Sequence, residues 1–338
     1  MKVLRGISRA RRRILITTAH TMAIAAICPL AAQGAANPAA SYPSKPIRII
    51  VPYAAGGGTD LEARMWAQSL QKNLGQSVIV ENMAGSNGMI GTAYAAKAAP
   101  DGYTLYIATY GFPVVPLLMK SPRYTVADFA PIIRIGAGPL ALVVAANSPF
   151  HSTQDVIAAA RAKPSSLNVG TLGNGSQEQM GSQKFQKAAK VRLTEIPYKG
   201  GAPAMVDLMG GRLQLMFEAL PTVMSYIKSG TIRALGVTSA RRSSQLPNVP
   251  TLAEQGLQSV EVTSWYGFLA PAKTPSAYIE KLNAAFRKGL SDPKMTAQMA
   301  KLFGSEPVGG TAASFSEFLS TQTRENADLI AKLGIERQ

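Results

Sequence analysis

Strand-length apolar runs and helix-period segments alternate along most of this chain, and that alternation limits its fold more than any other feature. "IRIIV" (47–51), "SVIVEN" (77–82), "TLYIA" (104–108), "PLALVVAA" (139–146), "LNVGT" (167–171), "LQLMF" (213–217), "IRALGV" (232–237) and "WYGFLAP" (265–271) read as strands. Several are apolar at nearly every position rather than at every second one, which marks strands covered on both faces. The segment after the first strand places Leu61, Met65, Leu70 and Leu74 on one helical face and stops at Gly75, a C-terminal cap. Further helices are expected near 153–162, 176–189, 201–210 and 221–229. From Thr274, an N-cap followed by Pro275, the chain turns mainly helical, with a stripe of Ile279, Leu282, Phe286 and Leu290 and a last helix near 314–333. The expected class is α/β, with mostly parallel sheets flanked by helices. A length of 338 residues leaves room for two domains.

The formal charge of +16 suggests nucleic acid until its distribution is considered. Lys2, Arg5, Arg9, Arg11, Arg12 and Arg13 precede the apolar stretch "ILITTAHTMAIAAICPLAAQGAAN", which ends in small residues. That order describes a secretory signal peptide over residues 1–36, and Arg11-Arg12-Arg13 resembles a twin-arginine export motif. Its removal lowers the charge from +16 to +10. An uncleaved membrane anchor is the alternative, opposed by the short and broken apolar stretch. The only cysteine, Cys28, falls inside the signal, which leaves the mature chain without disulfide or thiolate. Export without cysteine fits a bacterial periplasm. The other basic residues are dispersed with few aromatics among them, so nucleic-acid binding is not expected.

Glycine-rich turns follow the strands at "AAGGGTD" (54–60), "AGSNGMIG" (84–91), "TLGNGSQEQ" (171–179) and "YKGGAPA" (198–204). None is a phosphate loop. Gly58 is followed by Thr59-Asp60, with no lysine, and no G-x-G-x-x-G enters a helix. What remains is the chemistry of a helix start, whose first amides lack intrahelical partners and favour an anion such as a carboxylate. A tight turn capped by Thr59 or Asp60 is the plainer reading of the first loop. Four such turns could meet at the carboxyl ends of two sheets, where open α/β folds bind ligands.

Catalytic sets are lacking. His151, the single histidine beyond the signal, reads as a surface residue, and there is no G-x-S-x-G elbow. No cofactor or metal site is expected. Glu178, Glu195, Asp207 and Glu218 read as scattered capping or solvated acids, and Trp265-Tyr266 as core or hinge packing, with a cleft wall as the sharper reading.

"YPSKPIRIIVPYAAGGGTD", "LGQSVIVEN", "GSNGMIGTAYAAKAAPDGYTL", "PYKGGAPAMVDLMGGRLQLMFEALP", "SGTIRALGVTSARRSSQLPNVPTLAEQG" and "SWYGFLAPAKTP" resemble the Bug proteins. These are the TctC-like extracytoplasmic receptors of tripartite tricarboxylate transporters. The likeness runs collinearly from about Tyr42 to Ile335. It implies a Venus-flytrap fold, two α/β domains joined by crossing strands, with a small carboxylate in the cleft: a di- or tricarboxylate, an aromatic acid or an acidic amino acid. "PLALVVAA" and "EVTSWYGFLAP" would be the crossing strands, giving one domain from 42–140 with 266–338 and another from 141–265.

Carried onto this chain, the implied ligand loop holds Tyr53, Ala55, Gly56, Gly57, Gly58, Thr59 and Asp60. Ser86, Asn87, Thr109 and Tyr110 complete the first domain's share. Asn174, Gly175, Ser176, Gln179, Tyr198, Gly200, Ala202 and Pro203 face them from the second, and Glu218 follows "LQLMF", where an acid could meet a ligand's amino group. The family often has Pro or Ser where Gly58 stands and His near Gln179, so the far end of the pocket departs from the pattern. The implied function is a monomeric, non-enzymatic periplasmic receptor that serves membrane permease subunits. A ligand-sensing component that reports to a sensor kinase is the alternative. A hydrolase or lyase on a similar fold is disfavoured by the missing nucleophile and base.

Overall fold

The computed structural model describes residues 41–333 and 337. The signal-peptide reading of residues 1–36 lies outside them. Three parallel strands open the fold: β1 (Ile47–Val51), β2 (Val78–Asn82) and β3 (Thr104–Ala108), with β1 in the middle. Helices α1 (Gly58–Leu74) and α2 (Met89–Ala96) make the crossovers, and α3 (Gly111–Leu118) follows β3. The chain then enters β4 (Phe129–Ala145), a strand of 17 residues.

A second group comprises α4 (Thr153–Ala162), β5 (Asn168–Thr171), α5 (Gln177–Ala189), β6 (Thr194–Pro197), α6 (Gly201–Met209), β7 (Leu215–Ala219), α7 (Leu220–Lys228) and β8 (Ile232–Val237). Here β5 lies between β6 and β7, parallel to both. Last come β9 (Thr263–Pro271), α8 (Ser276–Leu290), α9 (Pro293–Phe303), β10 (Glu306–Gly309) and α10 (Ala312–Leu333).

Strand β4 belongs to two sheets. From Phe129 to Pro139 it pairs antiparallel with β9, which in turn pairs antiparallel with β3, and β10 flanks its other side. From Leu140 onward the same strand pairs antiparallel with β7 and β8. The parallel ladders expected from the apolar runs are those of β1–β3 and β5–β7, while β4, β8, β9 and β10 run antiparallel. Among the described residues no helix is long and apolar enough to cross a membrane.

The helix face toward the core is rotated from the expected one: Leu70 is buried and Leu74 packs half-buried against the core as expected, but Leu61 is not. In α1 the apolar side chains buried are Ala63, Trp66, Ala67 and Leu70, whereas Leu61 is exposed and Met65 half-buried. Trp66 decides this, because its large ring packs 5.4 Å from Phe286 of α8, which stacks at 4.4 Å on Phe268 of β9. Burying such a side chain stabilises by about 1.5–3 kcal/mol, more than Leu61 and Met65 could recover at the rim. Gly75 ends α1 in the left-handed region, with its amide on the Gln71 carbonyl. Thr274 does not cap α8; its hydroxyl donates to the Pro271 carbonyl and Pro275 holds the cap position.

Candidate functional site

Five helices begin around one cavity. Gly57 and Gly58 at the start of α1, Gly111 of α3, Gln177 and Glu178 of α5, Gly201 of α6 and Thr222 of α7 all line it. Tyr53, Thr59, Thr109, Leu172, Glu218 and Tyr266 complete the wall. The first turn of a helix presents unpaired amides and the positive end of its dipole, so the convergence favours an anionic group. The volume is about 20 Å³, room for roughly one water.

The walls close because loops from the two sheets touch. Ala54 donates its amide to the Lys199 carbonyl at 3.1 Å, and Gly58 donates to the Thr222 hydroxyl at 3.0 Å. On the other side the Asn87 side-chain amide donates to the Asn174 carbonyl. Gly58 has to be a glycine here, since a Cβ would lie 2.7 Å from the Thr222 hydroxyl and 3.1 Å from Pro221.

The first glycine loop is held from behind by Asp60. One of its carboxylate oxygens accepts from the Gly56 amide at 2.9 Å and from the Arg64 guanidinium at 3.0 Å. Burial raises the Asp60 pKa, but the bonds from Arg64, Gly56 and Asn82 outweigh it and hold the carboxyl below its ordinary value. With Gly56 and Gly58 already donating within the protein, Gly57 and Thr59 are the lining residues at the start of α1 whose amides are candidates for a ligand. Ala55 and Gly56 lie exposed on the outside of the loop, where Gly56 faces Ala202.

The other residues singled out by sequence divide into wall and frame. Tyr53 and Thr109 are wall, with hydroxyls 3.4 Å apart. Ser86, Asn87 and Tyr198 line a neighbouring pocket of about 230 Å³ that shares Tyr53 and Leu172 with the central cavity. The Tyr198 hydroxyl is bound to Asp207 at 2.6 Å. Ser176 caps α5 by accepting from the Gln179 amide. Gln179 in turn accepts from the Gly175 amide at 2.8 Å and donates to Asn174 at 2.7 Å and Glu195 at 3.1 Å, so it braces the loop. Gly200 approaches Ala54 closely, and Pro203 sits half-buried in the first turn of α6.

Tyr110 is turned elsewhere. Its hydroxyl donates to Asn326 of α10, and it lines a separate groove with Arg134, Trp265 and Phe318. The helical start of α3 carries Thr109 and Gly111 to the cavity and rotates the residue between them away.

Glu178 and Glu218 are neither solvated nor scattered, contrary to expectation: both are buried and both face the cavity. Burial, eased by its own amide and by Gln177, pushes the Glu178 carboxyl up to about 7. Burial and then the charge of Glu178 push Glu218 well above the ordinary carboxylate range. Burial likewise raises the Tyr53 phenol to about 12 and holds the Tyr266 phenol well above its ordinary value. Tyr266 stands in the wall, the sharper of its two sequence readings. Gln177, at the end of a glycine turn, and Thr222, outside all of them, were not singled out by sequence, because only the folded chain brings them to the cavity. His151 is exposed, and its backbone amide donates to Asp155.

The sequence and the fold are similar to those of known proteins. The family model described as "Tripartite tricarboxylate transporter family receptor" matches residues 62–335. Protein BugT of Bordetella pertussis is 35% identical over 310 residues, covering 90% of this chain and 95% of its own. The solved periplasmic binding protein BugD superposes with a TM-score of 0.85 at 34% identity, covering 88% of this chain and all of its own. Rpa4515 of R. palustris, solved with adipate, superposes at 0.84 with 33% identity, covering 87% and 99%.

Proposed function

We propose that this chain, which belongs to the tripartite tricarboxylate transporter receptor family, captures a small carboxylate between its two sheets and delivers it to membrane permease subunits. Its fold is the α/β fold of the periplasmic binding proteins, and the family consists of binding receptors rather than enzymes. The observation that carries the proposal is the meeting of five helix starts, from both sheets, at one buried cavity. On this reading the protein works in the periplasm, exported by the basic and apolar N-terminal segment.

Residues 42–140 with 266–338 then form one domain and 141–265 the other. Support comes from β4, whose partners change between Pro139 and Leu140. A cavity of about 20 Å³ admits no dicarboxylate, so binding requires the loops to part and close again over the ligand. A ligand that touches both sheets binds the closed form better, which is what shifts such an equilibrium.

A thermal-shift screen against a panel of small aliphatic and aromatic carboxylates tests the proposal. A true ligand at about 100 times its Kd adds about 2.7 kcal/mol of stability, a shift of several degrees. A panel in which no carboxylate raises the melting temperature would overturn it.

A further inference from the structure

The acids at the centre of the cleft have no base to answer them. Glu178 stands in the first turn of α5 and Glu218 near the end of β7, with exposures of 1% and 3%. One oxygen of Glu218 accepts from the Ala219 amide at 2.8 Å and from the Thr222 hydroxyl at 3.2 Å. Its other oxygen is buried without a partner, 2.6 Å from where a Cβ on Gly201 would sit. The side-chain oxygen of Gln177, also on the cavity wall, is buried and unpartnered too. The Gln177 oxygen is an acceptor awaiting a donor, and so is the Glu218 oxygen once its carboxyl is ionised.

The remaining wall residues are neutral, and none that lines the cavity is basic. Helix starts can hold one carboxylate. A second carboxylate brought against Glu178 and Glu218 would face like charge in a poorly hydrated space, where such repulsion is strong.

We infer that the cleft selects a carboxylate that also carries a protonated nitrogen, with Glu218 and Glu178 accepting from the ammonium while the α1 helix start holds the carboxylate. This rests on the cleft being the ligand site proposed above and narrows its ligand class to zwitterions. The orphaned oxygens of Glu218 and Gln177 gain a donor, and the two acids gain a counter-charge. Such a ligand differs from adipate, with which the R. palustris relative was solved.

The pH response separates this inference from its rival, in which protonated glutamates donate to a second carboxylate. The titratable groups facing the pair are Tyr53 and Tyr266, both held neutral, with Glu62 of α1 behind Tyr266. Burial raises both glutamate carboxyls, Glu178 to about 7 and Glu218 in the same direction, so ionisation of the pair grows as the pH climbs. An ammonium needs them ionised, and its affinity should therefore rise between about pH 5 and 8. A second carboxylate needs them protonated, and its affinity should fall over the same range.

Calorimetry on the purified protein with matched pairs provides the test: aspartate and succinate, glutamate and glutarate, 4-(aminomethyl)benzoate and benzoate. In the pair that fits the cleft, the amine-bearing member should bind at least about 30-fold tighter and gain affinity with pH. Glu218→Gln, and separately Glu178→Gln, should bring the pair toward parity with circular dichroism unchanged. Should a variant misfold, the pH profiles of the unmodified protein still decide. Equal or tighter binding of the amine-free member, or affinities for both that fall with pH, overturns the inference and leaves the carboxylate-receptor function standing. Failure of every member to bind removes both.

Discussion

The amide of Gly58 reaches the hydroxyl of Thr222 at 3.0 Å and joins the first turn of α1 to the first turn of α7. It is one of the bonds that closes the cleft, and it forms between residues that lie in different sheet systems. Gly58→Ala would set a Cβ 2.7 Å from that hydroxyl, so the turns could no longer meet. The variant should lose about 10-fold or more in ligand affinity, the lost bond and the spread cleft together costing roughly 1–2 kcal/mol. Small-angle scattering with saturating ligand should show a larger radius of gyration than the unmodified protein gives.

Gly57 behaves differently. Its φ of −81° suits any residue, and a Cβ there would lie 3.5 Å from the Gly201 amide, an ordinary contact. Gly57→Ala should therefore bind within a few-fold of normal, less about 0.5–1 kcal/mol of stability for a poorer N-cap. Gly57→Val adds branches that have to enter the Gly201–Ala202 backbone or the cavity. Calorimetry should find its binding abolished while far-UV circular dichroism stays intact.

Glu62 makes stability depend on pH. Burial raises its carboxyl to about 8, and Trp66 and Ser305 face it without completing a hydrogen bond. The folded chain therefore holds a proton that the unfolded chain releases above about pH 4.5. Stability contributed this way is complete below that pH and declines as the pH rises toward 8. Urea midpoints should fall between pH 5 and pH 8, and Glu62→Gln should flatten the decline. Glu178 and Glu218, shifted in the same direction, leave a residual slope.

His151→Ala should change nothing at the site. The ring is exposed, and the bond from residue 151 to Asp155 comes from the backbone, which alanine retains. Ligand affinity within twofold of normal at pH 6 and pH 8 is the expected outcome, measured by calorimetry.

The glycine turns were legible in the sequence because their chemistry is local: a strand ends, flexible residues follow, a helix starts. The first half of β4 was not. Its "FAPIIRIGAG" carries Pro131, Gly136 and Gly138, which read as breakers, yet the ladder with β9 absorbs them through register shifts at Pro131/Ile133 and Arg134/Gly136. Helix α3 was hidden by Pro113 and Pro116 in the same way. Glu178 and Glu218 could not be paired from the sequence, since their meeting depends on how α5 packs on β7. The inward turn of Trp66, and with it the burial of Glu62, was likewise settled by the far-off Phe286.

Sharing β4 between two sheets ties their fates together on heating. Neither sheet can melt without stripping one edge from the strand that the other depends on, so partial unfolding of one exposes apolar surface in both. The chain should lose its structure in a single cooperative step despite its length, with calorimetric and van't Hoff enthalpies in agreement. That coupling means a cargo bound at the loops protects the sheet cores well beyond its own contacts.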